Sequence, residues 1–111
     1  MNNNFGIYDK SFTLIRESFA EFPEIEKAVI FGSRAIGNHK KGSDIDIAIC
    51  GENVNHNTTS RLYGKLNEEL PIPYFVDVVN YNLINLEELK EHIENNGKII
   101  YEKGQSGGTT V

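Results

Sequence analysis

Phe31-Gly32-Ser33-Arg34-Ala35-Ile36-Gly37, a polar stretch, and then Ser43-Asp44-Ile45-Asp46-Ile47-Ala48-Ile49 form the passage whose reading decides the fold. Just ahead of it, Lys27-Ala28-Val29-Ile30-Phe31 is a short apolar run closed by Gly32, which reads as a buried strand. Arg34 to Gly37 fits a single turn of helix, and Asn38 to Ser43 a polar loop. Asp44 to Ile49 alternates with period two, so it reads as a second strand. In such a strand Ile45, Ile47 and Ile49 take one face, the buried one, and Asp44 and Asp46 share the other.

Aspartate is a poor strand former, and two neighbouring carboxylates raise the proton affinity of one of them. A cation between them removes that conflict. On its own, Asp-x-Asp also reads as the solvated face of an edge strand. Three features add to it. A strand-Gly32-Ser33-helix junction brings backbone N–H groups and a hydroxyl to one point, where a phosphate can sit. An ordinary turn glycine with a capping serine has the same letters. Asp77 stands alone within Phe75-Val76-Asp77-Val78-Val79, a costly place for a carboxylate unless it is paired or liganded. Arg34, Lys40 and Lys41 lie between the Gly-Ser turn and the carboxylates, which suits a polyphosphate, although each lysine alone also fits a solvated loop. Magnesium takes oxygen ligands and binds through one or two carboxylates plus substrate phosphates. Two such ions can stabilise both oxygens of an in-line displacement.

Outward from this passage the elements alternate. Phe12, Ile15, Phe19 and Phe22 follow helical spacing up to Pro23, and Asp9 or Ser11 could cap that helix. Gly51 to Asn57 reads as a loop. Leu62, Leu66 and Leu70 share a helix face stopped by Pro71, and Tyr74 to Val79 is a third strand. Asn85 can cap a helix carrying Leu86, Leu89 and Ile93, with Gly97 at its end and Ile99-Ile100-Tyr101 as a short last strand. The order α-β-(short α)-β-α-β-α-β predicts an α/β (α+β) fold: a small mixed β-sheet with flanking helices.

The chain has 111 residues, 39% hydrophobic and 24% charged, which suits one small core. A single domain over 1–103 is expected, with polar Met1 to Asn4 unstructured and 104–111 a Gly/Ser/Thr-rich flexible tail. No apolar stretch approaches the ~20 residues of a membrane span, and the N-terminus has no signal-peptide pattern. The lone Cys50 cannot form an internal disulfide and fits a reducing cytoplasm, as a small buried hydrophobe. A net charge of −5 argues against general nucleic-acid binding. His39, His56 and His92 are scattered without metal-ligand spacing, and the tyrosines read as packing or interface residues.

Gly32-Ser33, ten intervening residues and Asp44-Ile45-Asp46 resemble the signature of the DNA polymerase β-type nucleotidyltransferase superfamily, with Asp77 on a following strand where that superfamily places its third carboxylate. The fuller string from Phe31 to Ile49 is similar to the minimal nucleotidyltransferases (MNT) of bacteria and archaea. The resemblance covers Phe12 to Tyr101. It implies the nucleotidyltransferase palm fold. It implies Asp44 and Asp46 as ligands of two catalytic Mg2+ ions. Asp77 would complete the metal site and help deprotonate an attacking hydroxyl. Gly32, Ser33 and Arg34 would bind the nucleotide. Many MNT sequences carry Arg where this chain has Ile36, which weakens triphosphate contact.

Larger members of that superfamily add a helical domain for base and acceptor. MNT proteins instead resemble one half of a two-gene pair whose other half is a helical HEPN protein. The resemblance therefore implies an antitoxin that moves AMP from ATP onto a tyrosine of a HEPN toxin, in a homo- or hetero-oligomer. Two other readings stand beside it: a binding module that neutralises a HEPN partner by contact alone, and a nucleotidyltransferase for a small molecule such as an antibiotic. The complete aspartate set favours catalysis.

Overall fold

In a computed structural model, which describes residues 3–104, four strands form one sheet in the order β3-β2-β1-β4. The helix α1 spans Asp9–Phe19, β1 spans Lys27–Phe31, the single turn α2 spans Ser33–Ile36, and β2 spans Ile45–Cys50. Then come α3 (His56–Gly64), a π-helical turn (Lys65–Glu69), β3 (Val76–Asn80), a 3-10 turn (Tyr81–Leu83), α4 (Glu87–Asn96) and β4 (Lys98–Glu102). β1 pairs antiparallel with both β2 and β4, while β2 and β3 run parallel. A parallel pair needs a long crossover, and α3 with its π-helical turn supplies it. The mixed sheet read from the sequence is the one observed.

Side-chain alternation sorts the two faces. Ala28, Ile30, Ile45, Ile47, Ile49 and Val76 join Ile15, Phe19, Leu62 and Leu66 in the main core, beneath α1 and α3. Val29, Phe31 and Ala48 point the other way and pack with Ile93 and Leu89 of α4. The three isoleucines of β2 are fully buried, as their alternation requires. Asp46 has the parity of Ala48, and Asp77 that of Val79, which lies against the α4 cluster. Both carboxylates therefore rise from the sheet face that α4 only partly covers.

Several boundaries differ from the sequence reading, each for a local reason. α1 ends at Phe19, and Phe22 reaches the core from the turn that follows. No side chain caps α1: Tyr8 is at the N-cap, and Asp9 sits inside the first turn, where a carboxylate also suits the helix dipole. α3 starts earlier than expected, because Asn55 and Thr58 form a reciprocal capping box. Leu66 lies in the π-helical turn, not in a continuous α-helix. Leu86, not Asn85, is the N-cap of α4. Asn3 is held in place despite its polarity: its side chain accepts from the N–H groups of Phe5 and Ile7 and donates to the Ile7 carbonyl, while Met1 and Asn2 lie outside the described residues. Apart from Gly104, the expected tail at 104–111 lies outside the described residues. Within them, no helix is long and apolar enough to cross a membrane.

Candidate active site

The site is built on one row of the sheet. Phe31 is the register partner of Asp46, and Asp46 is the register partner of Asp77. Partners in register put their side chains on the same face, so β2 and β3 carry two carboxylates side by side. Asp44 stands just ahead of β2 and is exposed; Asp46 and Asp77 are half-buried. Burial raises the Asp46 carboxyl above its ordinary value, and the Asp77 and Asp44 charges push it further. The structure thus brings the three aspartates into one electrostatic neighbourhood. Among the described residues no three His, Cys, Asp or Glu side chains are gathered tightly enough to hold a metal ion between them. The donor chemistry is nonetheless that of a hard cation: all carboxylate oxygen, with neighbouring negative charges that raise Asp46.

The row ends at the Gly32-Ser33 turn. Gly32 has φ +78°, and a Cβ there would overlap the Asp46 carboxylate oxygen, so both the backbone and the space demand glycine. α2 begins immediately after it and closes on Gly37, also at positive φ. Among the described residues neither the N–H nor the hydroxyl of Ser33 has a hydrogen-bond partner, so both remain available to an anion. The Gly32 N–H is different: it donates to Nε2 of His92 at 2.8 Å. His92 stands 60 residues from Gly32 in the chain, and nothing in the spacing of the histidines links the two.

Arg34 faces inward. It is 2% exposed, and its guanidinium makes four hydrogen bonds to backbone carbonyls. Nε and Nη2 donate to Ser43 at 3.1 and 2.7 Å, and Nη1 donates to Phe5 and Gly6 at 2.8 and 3.2 Å. Its planar group also lies over the Tyr74 ring. With four of its five N–H donors engaged in this way, Arg34 ties the N-terminal segment to the loop that delivers Asp44. Lys40 and Lys41, with His39, open onto a separate cavity of about 460 Å³ that Tyr8 and Tyr74 also line.

Asp77 has a support that the sequence did not reveal. The Asn67 side chain donates to the Val76 carbonyl and accepts from the Val76 N–H, both at 2.8 Å, and donates to the Tyr63 carbonyl. Its amide thus imitates a neighbouring strand at the free edge of β3, one residue before Asp77. The π-helical turn aims Asn67 there; such turns often mark functional positions.

Residues 14–106 match the polymerase β nucleotidyltransferase family. No curated protein matches the chain. Among solved structures, a toxin–antitoxin crystal structure with AMP-PNP is similar, at 22% identity and a TM-score of 0.66 over 89% of this chain and 77% of that one. An MntA–HepT toxin–antitoxin structure is similar at 21% identity and a TM-score of 0.63, over 86% and 74% of the two chains. A third, of a tri-AMPylated Shewanella oneidensis HEPN toxin in complex with its MNT antitoxin, shows 21% identity and a TM-score of 0.58 over 85% and 75%. These likenesses establish a shared fold. The family match, the Gly32-Ser33 turn and the register of Asp46 with Asp77 agree, and the chain belongs to the polymerase β nucleotidyltransferase family.

Proposed function

We propose that this chain transfers a nucleoside monophosphate, AMP from ATP, to a hydroxyl of a HEPN-type partner protein, and so acts as an antitoxin. The observation that carries the reading is the register of Asp46 with Asp77 beside the Gly32-Ser33 turn. The similar toxin–antitoxin structures, one with AMP-PNP and one with an AMPylated HEPN toxin, support the nucleotide and the partner.

The acceptor oxygen attacks the α-phosphorus, the bond from that phosphorus to the bridging oxygen of the β-phosphate breaks, and pyrophosphate leaves. Asp77 takes the hydroxyl proton. Ser33, with its unpartnered N–H and hydroxyl, steadies the phosphates, and the rigid row of β1, β2 and β3 fixes where the acceptor and nucleotide meet. Asp44, Asp46 and Asp77 would hold Mg2+, which supplies charge neutralisation at the phosphates. The site acts as a positioning device built on one sheet.

Two observations favour a second reading. The three aspartates are not gathered as a closed metal cluster, and the Gly32 N–H is already taken by His92. A module that neutralises its partner by contact alone is compatible with both facts. The two readings separate in one experiment. The chain is mixed with the HEPN protein of the neighbouring gene, ATP and magnesium, and the partner is weighed. Transfer adds the mass of AMP, and Asp44→Asn with Asp46→Asn abolishes the addition and releases the toxin. An unchanged partner mass, with full neutralisation by the double variant, leaves contact alone.

A further inference from the structure

The bond from the Gly32 N–H to His92 Nε2 has a chemical consequence at the site. A backbone N–H can only donate, so Nε2 must carry a lone pair. His92 is therefore a neutral imidazole with its proton on Nδ1. The neighbouring Asn96 amide lies 3.4 Å from Nδ1 by its nitrogen, and two nitrogens facing each other there would leave the Nδ1 proton without an acceptor. Rotating that amide by half a turn presents its oxygen to Nδ1–H and satisfies both groups, and the two orientations are alike in shape. Gly32, His92 and Asn96 then form one directional chain from the phosphate turn into α4.

The ring is also placed by packing. It meets Phe31 edge to face, with centroids 6.1 Å apart, and Phe31 is the register partner of Asp46. Ile93, next to His92, is buried against β1 and β2. The imidazole thus reaches Gly32 from a helix anchored on the same sheet face as the carboxylates. It touches the residue whose positive φ keeps space open for the Asp46 carboxylate.

We propose that His92 is a positioning residue of the nucleotide site: as the Nδ1–H tautomer, its Nε2 holds the Gly32 N–H and so fixes the Gly32-Ser33 turn against Asp46. This rests on the proposed nucleotidyl transfer, and it adds a residue to that site which acts through Gly32 and not on the phosphates. Because His92 fixes Gly32, the Ser33 N–H and hydroxyl are pre-aimed and need not be ordered when a triphosphate arrives.

Two substitutions and two kinds of measurement test it. His92→Leu keeps an apolar body against Phe31 and removes the acceptor; His92→Gln restores an acceptor oxygen at the end of a side chain of similar reach. In the full-length parent, nitrogen NMR of the imidazole is expected to show the neutral Nδ1–H pattern, and the Gly32 amide should exchange slowly. His92→Leu should speed that exchange and weaken binding of ATP with magnesium by about tenfold each, the scale of one lost hydrogen bond, with Gln recovering most of both. In transfer assays, KM for ATP should rise more than kcat falls. An Nε2–H pattern in the parent overturns the proposal, as does a Leu variant whose Gly32 exchange and ATP affinity match the parent. If the parent binds no ATP at all, the proposed function falls, while the tautomer and exchange measurements still decide the role of His92.

Discussion

Asp46 and Asp77 are register partners on adjacent parallel strands, so their carboxylates rise from one sheet face with no residue between them. The sheet holds this like-charge pair in place because every other side chain of β2 that could relax it is locked in the core: Ile45, Ile47, Ala48 and Ile49 are fully buried. The cost falls on Asp46, whose carboxyl is raised by burial and by the charges of Asp77 and Asp44.

A pH dependence follows, with a definite sign. A carboxyl raised in the folded state holds its proton more firmly there than in the unfolded chain. Its favourable contribution is present below the ordinary aspartate value and is lost as pH rises through the raised one. Asp46→Asn should therefore raise the urea midpoint at pH 7, in the absence of metal, and the gain should fade toward pH 4 and below. Transfer activity should be lost in the same variant. An equal midpoint for parent and variant across that range would show that the site carries no such electrostatic strain.

Gly32→Ala should damage the site more than its single methyl suggests. The new Cβ meets the Asp46 carboxylate, and the positive φ is strained for any side chain. A loss of roughly 1–3 kcal/mol in unfolding free energy is expected, with ATP binding reduced further. Gly37→Ala is the control for strain alone, since its Cβ would enter open space at a comparable φ. Chemical unfolding and calorimetry on both variants separate the two effects.

Arg34→Lys should behave as a structural lesion. Lysine cannot span the Ser43, Phe5 and Gly6 carbonyls that the guanidinium reaches together. Unfolding free energy should fall by about 2–4 kcal/mol. In whatever fraction stays folded, the affinity for triphosphate should be close to that of the parent. A variant of full stability with abolished ATP binding would instead return Arg34 to the nucleotide.

Asn67→Leu removes both bonds that close the edge of β3 at Val76. About 2–3 kcal/mol of stability should be lost, since a buried donor and acceptor go unpaired together. Asn67→Asp keeps the acceptor for the Val76 N–H and should fall between Leu and the parent. Hydrogen exchange at Val76 and Asp77 reports whether the loss is local to the strand that carries the carboxylate.

The contiguous part of the site was open to a reader of the sequence. β1, the turn and β2 follow one another within a couple of dozen residues, and the period-two alternation of Ile45 to Ile49 assigns the faces. The lone charge of Asp77 in an apolar strand marked it as unusual, and its place beside Asp46 was an implication of the family resemblance. What escaped was every contact that depends on long-range geometry. The reach of His92 to Gly32 depends on the tilt of α4. The edge clamp of Asn67 depends on a π-helical turn that periodicity reads as ordinary helix. The turning inward of Arg34 depends on where the N-terminal segment lies. A polar side chain looks solvated until the carbonyls it serves are placed, which is why neither the burial of Arg34 nor the turn held by Asn3 was legible in the sequence.

The sheet order places β4, the last strand among the described residues, directly against β1, the first of them. During synthesis β1 and β2 can pair early and β3 can follow, but one side of β1 stays open until Lys98 to Glu102 emerge from the ribosome. α4 arrives only a few residues sooner, so Gly32 waits for its acceptor almost as long. A chain made only as far as β3 therefore carries the aspartates without the frame that arranges them, and competence at this site has to wait for α4 and β4.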